Sequence, residues 1–166
     1  DTSTSLFFIL SIHDALPFCP VTLRVRAEDN LRDARGREFS IIRVEDESAG
    51  LLAFLAIEAD AGGRPGFGGL RRSSYPDENA ARHEALALAS GMALKLRCAE
   101  MPAIGAKAVM IDHDGLDRER AYAAFGGFVA GFEGRYVCGP DLGTTEADLN
   151  RLRERTRHVN HADTAP

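Results

Sequence analysis

The chain has 166 residues and a net charge of −5, enough length for one domain that buries roughly 70% of its unfolded surface. An acidic chain with no basic run is unsuited to a polyanion or an anionic membrane surface, so neither nucleic acid nor membrane is expected as a partner. No apolar run approaches the roughly 18 residues of a membrane span. Cys19, Cys98 and Cys138 are odd in number and irregularly spaced, which excludes a disulfide framework and a CxxC metal site and points to a reducing cytoplasm. No metal is expected.

The chain begins with Asp1 rather than Met. Its early apolar run, residues 6–10, lacks the basic flank and the length of a signal peptide. The string SIHDALP resembles a translated sequencing-adapter sequence, so residues 1–20 are expected to be a non-native or disordered leader. Residues 21–37 are highly charged and read as a lead-in. FSIIRV (39–44) and LLAFLAI (51–57) read as strands, the second apolar throughout, as in a strand covered on both faces. DAGGRPGFGG (60–69) carries five glycines and a proline and reads as a loop whose backbone approaches something closely.

Asp77 is a good N-cap for a helix over 78–100, with Ala81, Ala85, Leu88, Met92, Lys95 and Ala99 predicted on its buried face. A short loop over 101–106 leads to a buried strand, 108–111, with Lys107 at its entry. Residues 112–115, DHDG, read as a strand-to-helix turn and not a metal site. Asp117 caps a second helix whose stripe is Ala121, Phe125, Phe128 and Phe132, stopped by Glu133-Gly134. Residues 136–138 form a strand, and Asp141 lies in a glycine-flanked turn. Thr145 and Asp148 have capping-box spacing for a third helix. Cys98 and Cys138 are expected to be inert buried thiols, and His158 and His161 to lie in a disordered tail.

Strand–helix alternation of this kind predicts an α/β fold, a three-layer open and mostly parallel sheet flanked by helices, with its site at strand ends. The chemistry centres on Lys95 and Lys107. An ammonium is costly to bury unpaired, so two in apolar surroundings demand explanation. Either both reach solvent along their aliphatic stems, or one serves as a base while the other holds a carboxylate, with Asp141 as the opposing acid. Spacing alone leaves both readings open.

GFGGLRRSSYPDENAARHEALALASGMALK (66–95), GAKAVMID (105–112) and GRYVCGPDLGTT (134–145) resemble, in order and spacing, the first domain of the glutamate/leucine/phenylalanine/valine dehydrogenases. The likeness runs from about residue 50 to 158 and is nearer to the leucine, phenylalanine and valine enzymes. It implies a substrate-binding and oligomerisation domain over 21–160, with 161–166 as the start of a linker to a cofactor domain. The implied activity is reversible oxidative deamination of a hydrophobic L-amino acid to its 2-oxo acid and ammonia, in a cytoplasmic homo-oligomer. The acceptor would be NAD or NADP, bound by that further domain. These residues alone would then be inactive.

By the same resemblance Lys95 binds the substrate carboxylate and Lys107 activates the water that adds to the imino intermediate. Asp141 handles protons at the substrate amine. Gly68 and Gly69 bring backbone to the carboxylate, and Phe67, Met92 and Gly139 line the side-chain pocket. No cofactor-binding residue is expected, since Arg71 stands where a G-x-G-x-x-G motif needs its third glycine. Two departures from the family pattern matter: Ile104 replaces the first glycine of a pair, and Glu100 replaces a helix-ending glycine and could pair with either lysine. They favour an alternative reading as a degenerate paralogue or a non-catalytic amino-acid-binding or oligomerisation domain. A nucleotide-binding α/β protein using the glycines at 62–69 is a third.

Overall fold

The segment expected to be a mere lead-in is a strand. The computed structural model describes residues 23–60 and 62–160; the expectations for residues 1–20, residues 161–166, Cys19 and His161 lie outside them. Its elements are β1 (Arg24–Arg32), β2 (Glu38–Asp46), β3 (Leu51–Glu58), β4 (Gly66–Ser73), α1 (Glu78–Cys98), β5 (Ile104–Ile111), α2 (Arg118–Gly131), β6 (Tyr136–Gly139) and α3 (Glu146–Arg153). Because β1 is an edge strand, its charges face water and neighbouring ions, as in Arg24–Glu47 at 2.7 Å and Glu28–Arg82 at 2.9 Å. A charged rim of this kind discourages a further strand from adding.

One sheet orders its strands β1-β2-β3-β5-β4-β6, and helices cover both faces, as the α/β layer expectation requires. The pairing is more mixed than expected. β1–β2, β2–β3 and β3–β5 are antiparallel, and only β5–β4 and β4–β6 are parallel. The short links between the first three strands permit only hairpin-like pairing, whereas parallel neighbours need helical crossovers. The crossover through α1 steps from β4 to β5, and the one through α2 steps back past β4 to β6. Crossovers share one hand, so reversing the step sends the second helix to the opposite face. One core accordingly joins α1 to Phe39, Ile41, Phe54 and Val109. The other joins α2 and α3 to Leu55, Leu70, Ala108 and Met110.

Capping chemistry sets the helix starts. Asp77 accepts from the Ala80 amide, Asp117 from that of Arg120, and Thr145 with Asp148 completes the reciprocal box. The predicted Phe125 and Phe128 core stripe is buried, with Phe132 packed against it. The buried face of α1 differs from expectation: Ala81, Ala85, Ala89, Ala93 and Leu96 face the sheet. Leu88, Met92 and Lys95 turn to its flank, and Lys95 and Ala99 are exposed. The reason lies beneath. A Cβ on Gly105 would sit 2.5 Å from the Ala89 carbonyl oxygen and from the Ala93 Cβ and amide nitrogen. The helix backbone rests on the strand there, which only an alanine ladder allows.

That contact also explains the glycine pair. Gly105 is required for the approach of α1, whereas Ile104 is a buried residue of β5 paired with Gly66, an extended position that suits a β-branched side chain. Glu100 takes a left-handed φ of 53°. The Met101 amide reaches the Leu96 carbonyl at 3.0 Å and the Glu100 amide the Arg97 carbonyl at 3.1 Å, a Schellman end to the helix.

Further corrections are local. The second half of the glycine-rich stretch is β4, not loop, and β5 begins at Ile104, placing Lys107 within the strand. Cys98 is exposed at the end of α1, while Cys138 is buried, its thiol pushed up to about 12 by burial. His158 is not in a loose tail: its carbonyl accepts from the Cys138 amide at 3.0 Å, and Val159 bridges β6. His113 bonds the Gly50 carbonyl at 2.8 Å, and no cluster able to hold a metal occurs among the described residues.

Two stability changes are expected. Gly105→Ala should lower stability by about 1–3 kcal/mol by forcing α1 off the sheet, read as a reduced urea midpoint at unchanged slope. Glu100→Gly should raise stability by about 1 kcal/mol by relieving the left-handed φ of a side-chain-bearing residue; a lowered midpoint would contradict this account of the helix end.

Candidate active site

Alternation along β5 decides where Lys107 points. Ala106, Ala108 and Met110 enter the core beneath α2, so Gly105, Lys107 and Val109 face α1. On β4, Leu70 joins the α2 side, which leaves Phe67, Gly69 and Arg71 on the α1 side beside Lys107. On β6, Cys138 enters the α2 core and Gly139 takes the other face, level with Gly69. β5, β4 and β6 thus present Lys107, Gly69 and Gly139 side by side, on the face whose β3–β5 half α1 covers.

The turn after β6 completes the arrangement. A Cβ on Gly69 would lie 2.4 Å from the Pro140 carbonyl oxygen and 3.1 Å from the Asp141 Cβ. The chain leaving β6 therefore folds back over β4, and the bare backbone of Gly69 makes room for it. This brings the Asp141 carboxylate to Lys107, Oδ2 to Nζ at 2.5 Å, with side chains only 20% and 13% exposed. Gly68 is filled in from the other direction, its Cβ position being occupied by the Ala106 carbonyl. Its own carbonyl accepts from the Tyr136 hydroxyl at 3.1 Å. Thr144 pins the turn by donating to the Leu70 carbonyl at 2.6 Å.

Asp141 is held below the ordinary aspartate range. Burial, the largest influence, pushes it up, but the Lys107 ammonium, the Leu142 amide and Arg71 together outweigh it. Arg71 is the residue that the sequence reading missed as part of this cluster. Its Nε lies 3.1 Å from Asp141 Oδ2 and its Nη1 2.5 Å from Glu84 Oε1 on α1. The signal was present: Arg71 follows Gly69 by two residues, hence shares its face once β4 is recognised as a strand.

Lys95 stands apart from this cluster. It is exposed on α1 and makes no ion pair among the described residues. At 100° per residue it lies about 20° around the helix from Glu84, three turns along, so it shares the ridge facing β4. Met92 sits between that ridge and the sheet, half-buried, as is Phe67. Glu100 pairs with neither lysine. Both departures from the family pattern therefore leave the Lys107–Asp141 contact untouched. Lys95 and Lys107 are also the only two lysines in the chain; all its other Lys/Arg positions are arginine.

The glycines of β4 do not form a dinucleotide-binding turn. Gly66–Ser73 is a strand inside the sheet, not a strand-to-helix turn, and the spaces above Gly68 and Gly69 are filled by the chain itself. No helix among them is long and apolar enough to cross a membrane.

Residues 39–158 match the family model described as Glu/Leu/Phe/Val dehydrogenase, dimerisation domain. The leucine dehydrogenase of Bacillus subtilis (strain 168) is 37% identical over 120 residues, covering 72% of this chain and 33% of that protein. The valine dehydrogenase of Streptomyces albus is 37% identical over 126 residues, 75% of this chain and 34% of that one. The crystal structure of L-tryptophan dehydrogenase from Nostoc punctiforme superposes with a TM-score of 0.65 at 30% identity, over 80% of this chain and 36% of that one. The chain spans roughly a third of the length of the curated relatives it matches. It belongs to the Glu/Leu/Phe/Val dehydrogenase family, whose dimerisation domain its described fold represents.

Proposed function

We propose that this chain is the substrate-binding and oligomerising part of an NAD(P)-dependent, cytoplasmic L-amino-acid dehydrogenase that deaminates a hydrophobic amino acid to its 2-oxo acid and ammonia. The observation that carries the reading is the Lys107–Asp141 contact, an amine and a carboxylate largely withdrawn from water on one sheet face. The relatives' activities support the reaction class, and the matched domain's description supports homo-oligomerisation. A nicotinamide cofactor would supply hydride acceptance, and this reading assigns its binding to none of the described residues.

A zwitterion needs a cation for its carboxylate and an anion near its amine. Lys95, exposed and unpaired on the ridge facing β4, is the cation. Asp141 is the anion. Phe67, Met92 and Gly139 form the apolar wall against which a hydrophobic side chain rests, and Gly68 and Gly69 serve the site by letting neighbouring backbone, including the turn that carries Asp141, close against β4. The steps carried by this chain are the proton transfers of imine hydrolysis. Lys107 Nζ takes a proton from the water that adds to the imino carbon, and the departing amine is protonated from the Lys107–Asp141 pair.

In the complete protein, Lys107→Ala should lower kcat by about 10²–10⁴-fold with far-UV circular dichroism unchanged. Full turnover in that variant would remove the assignment. Lys95→Ala should raise the amino-acid KM by about tenfold or more, the cost of a lost charge-assisted hydrogen bond. An unaltered KM would take the carboxylate role away from Lys95.

A further inference from the structure

The Lys107–Asp141 pair is not isolated. Arg71 reaches the same Asp141 oxygen that Lys107 holds, at 3.1 Å against 2.5 Å. Its other end is tied to Glu84 on α1 at 2.5 Å. The Arg71 side chain is only 22% exposed, and its guanidinium is gripped from two elements, α1 and the turn after β6. A planar fork can serve two carboxylates at a fixed angle, which an ammonium cannot. The order Glu84–Arg71–Asp141–Lys107 alternates in sign across four segments, α1, β4, the turn after β6 and β5, so each charge has an opposite neighbour.

We propose that Arg71 is the positioning residue of this site: anchored by Glu84, it fixes the Asp141 carboxylate over Lys107 and shares its negative charge. The proposal deepens the dehydrogenase reading and rests on it for its bearing on the reaction. Without Arg71 the Asp141 carboxylate keeps only Lys107 and the amide of its own neighbour Leu142, and loses its tie to β4 and, through Glu84, to α1. Lys107 then faces the whole of the carboxylate charge. With Arg71 in place the carboxylate remains an anion available to a substrate amine, and its direction is set before substrate arrives. The groups facing Asp141 are Lys107 from β5 and Arg71 from β4. Behind Arg71 lie Glu84 from α1 and the buried Tyr75 hydroxyl from the β4–α1 loop. The lowered Asp141 carboxyl, to which Arg71 contributes, agrees with the geometry.

The test follows the Asp141 carboxyl itself, by ¹³C NMR of this chain labelled at aspartate and assigned with Asp141→Asn. Arg71→Met removes a cation and a donor, which favours the neutral acid. The titration midpoint should rise by about half to one pH unit, roughly a 3–10-fold change in the proton-binding constant. If Arg71 only packs β4 against α1, the variant melts earlier but the midpoint stays at the wild-type value, and the proposal falls. Should Arg71→Met not fold, Arg71→Lys decides the matter: it keeps the charge but not the fork, so a smaller rise is expected, and no rise overturns the proposal.

Turnover of the complete protein separates the two readings. Arg71→Met should reduce kcat while the amino-acid KM stays within about twofold, because the carboxylate cation is untouched. A shifted midpoint in a protein that oxidises no amino acid would uphold the Arg71–Asp141 coupling and remove the dehydrogenase reading. An unshifted midpoint in an active enzyme would do the reverse.

Discussion

An ammonium and a carboxylate held 2.5 Å apart and mostly out of water stabilise one another only if neither can drift, since desolvation costs both of them. Lys107 is immobilised by position, midway along a strand paired on both sides. Asp141 has no such support from its own segment, a turn beyond a strand of four residues. It is delivered by topology. The chain steps from β4 to β5, then back across β4 to β6, so the segment leaving β6 emerges beside the strand that neighbours Lys107. The turn then closes over β4 because position 69 offers no side chain to obstruct it. Arg71 and Thr144 fasten the turn from β4 and its carbonyl, so the pair rests on the parallel half of the sheet.

The antiparallel half has a different role. α1 lies over β3 and β5, seated so closely at Ala89 and Ala93 that position 105 beneath them has room only for glycine. The bulk of that core comes from the sheet, from Phe39, Ile41 and Phe54. Glu58, buried beside this contact, accepts from the Gly105 amide at 3.3 Å and pairs with Arg97. A helix set this low cannot roll, and its flank toward β4 keeps a fixed line of residues: Glu84, Leu88 and Lys95. Glu84 meets Arg71 at one end of that line. Lys95 projects from the other.

How much of this is legible in the sequence depends on what a periodic pattern can express. Capping residues act within a turn of themselves, so Asp77, Asp117 and Thr145 are legible, as are the aromatic stripe of α2 and the apolar β3. The face of α1 is not, because its two candidate stripes share Ala81 and Ala85 and then part, one along Leu88, Met92 and Lys95 and the other along Ala89, Ala93 and Leu96. Choosing between them requires knowing that Gly105 lies below. β4 and β1 are hidden for opposite reasons. Glycines in β4 mimic a loop although neighbouring backbone fills their places, and the charges of β1 mimic a linker although an edge strand needs them. Lys107 and Asp141 are recognisable through the family motifs; their contact is a tertiary fact. Arg71 escapes notice because a strand mistaken for a loop has no faces.

The choice of basic residue carries a physical argument of its own. Wherever this chain needs a permanent positive charge to join elements, it uses arginine: Arg97 to Glu58, Arg118 to Asp148, Arg43 to Glu78. Each of these contacts suits a fork that does not lose its proton. Lysine appears twice, at Lys95 and Lys107. At Lys107 a guanidinium could satisfy Asp141 at least as well, as Arg71 demonstrates one strand away, so ion pairing does not explain the choice. What an amine offers and a guanidinium withholds is a proton that can leave and return. The same oxygen of Asp141 thus receives a forked guanidinium from one strand and a compact ammonium from the next. On the proposed dehydrogenase reading the second of these is the group asked to exchange a proton with water, a task that ion pairing alone would not set.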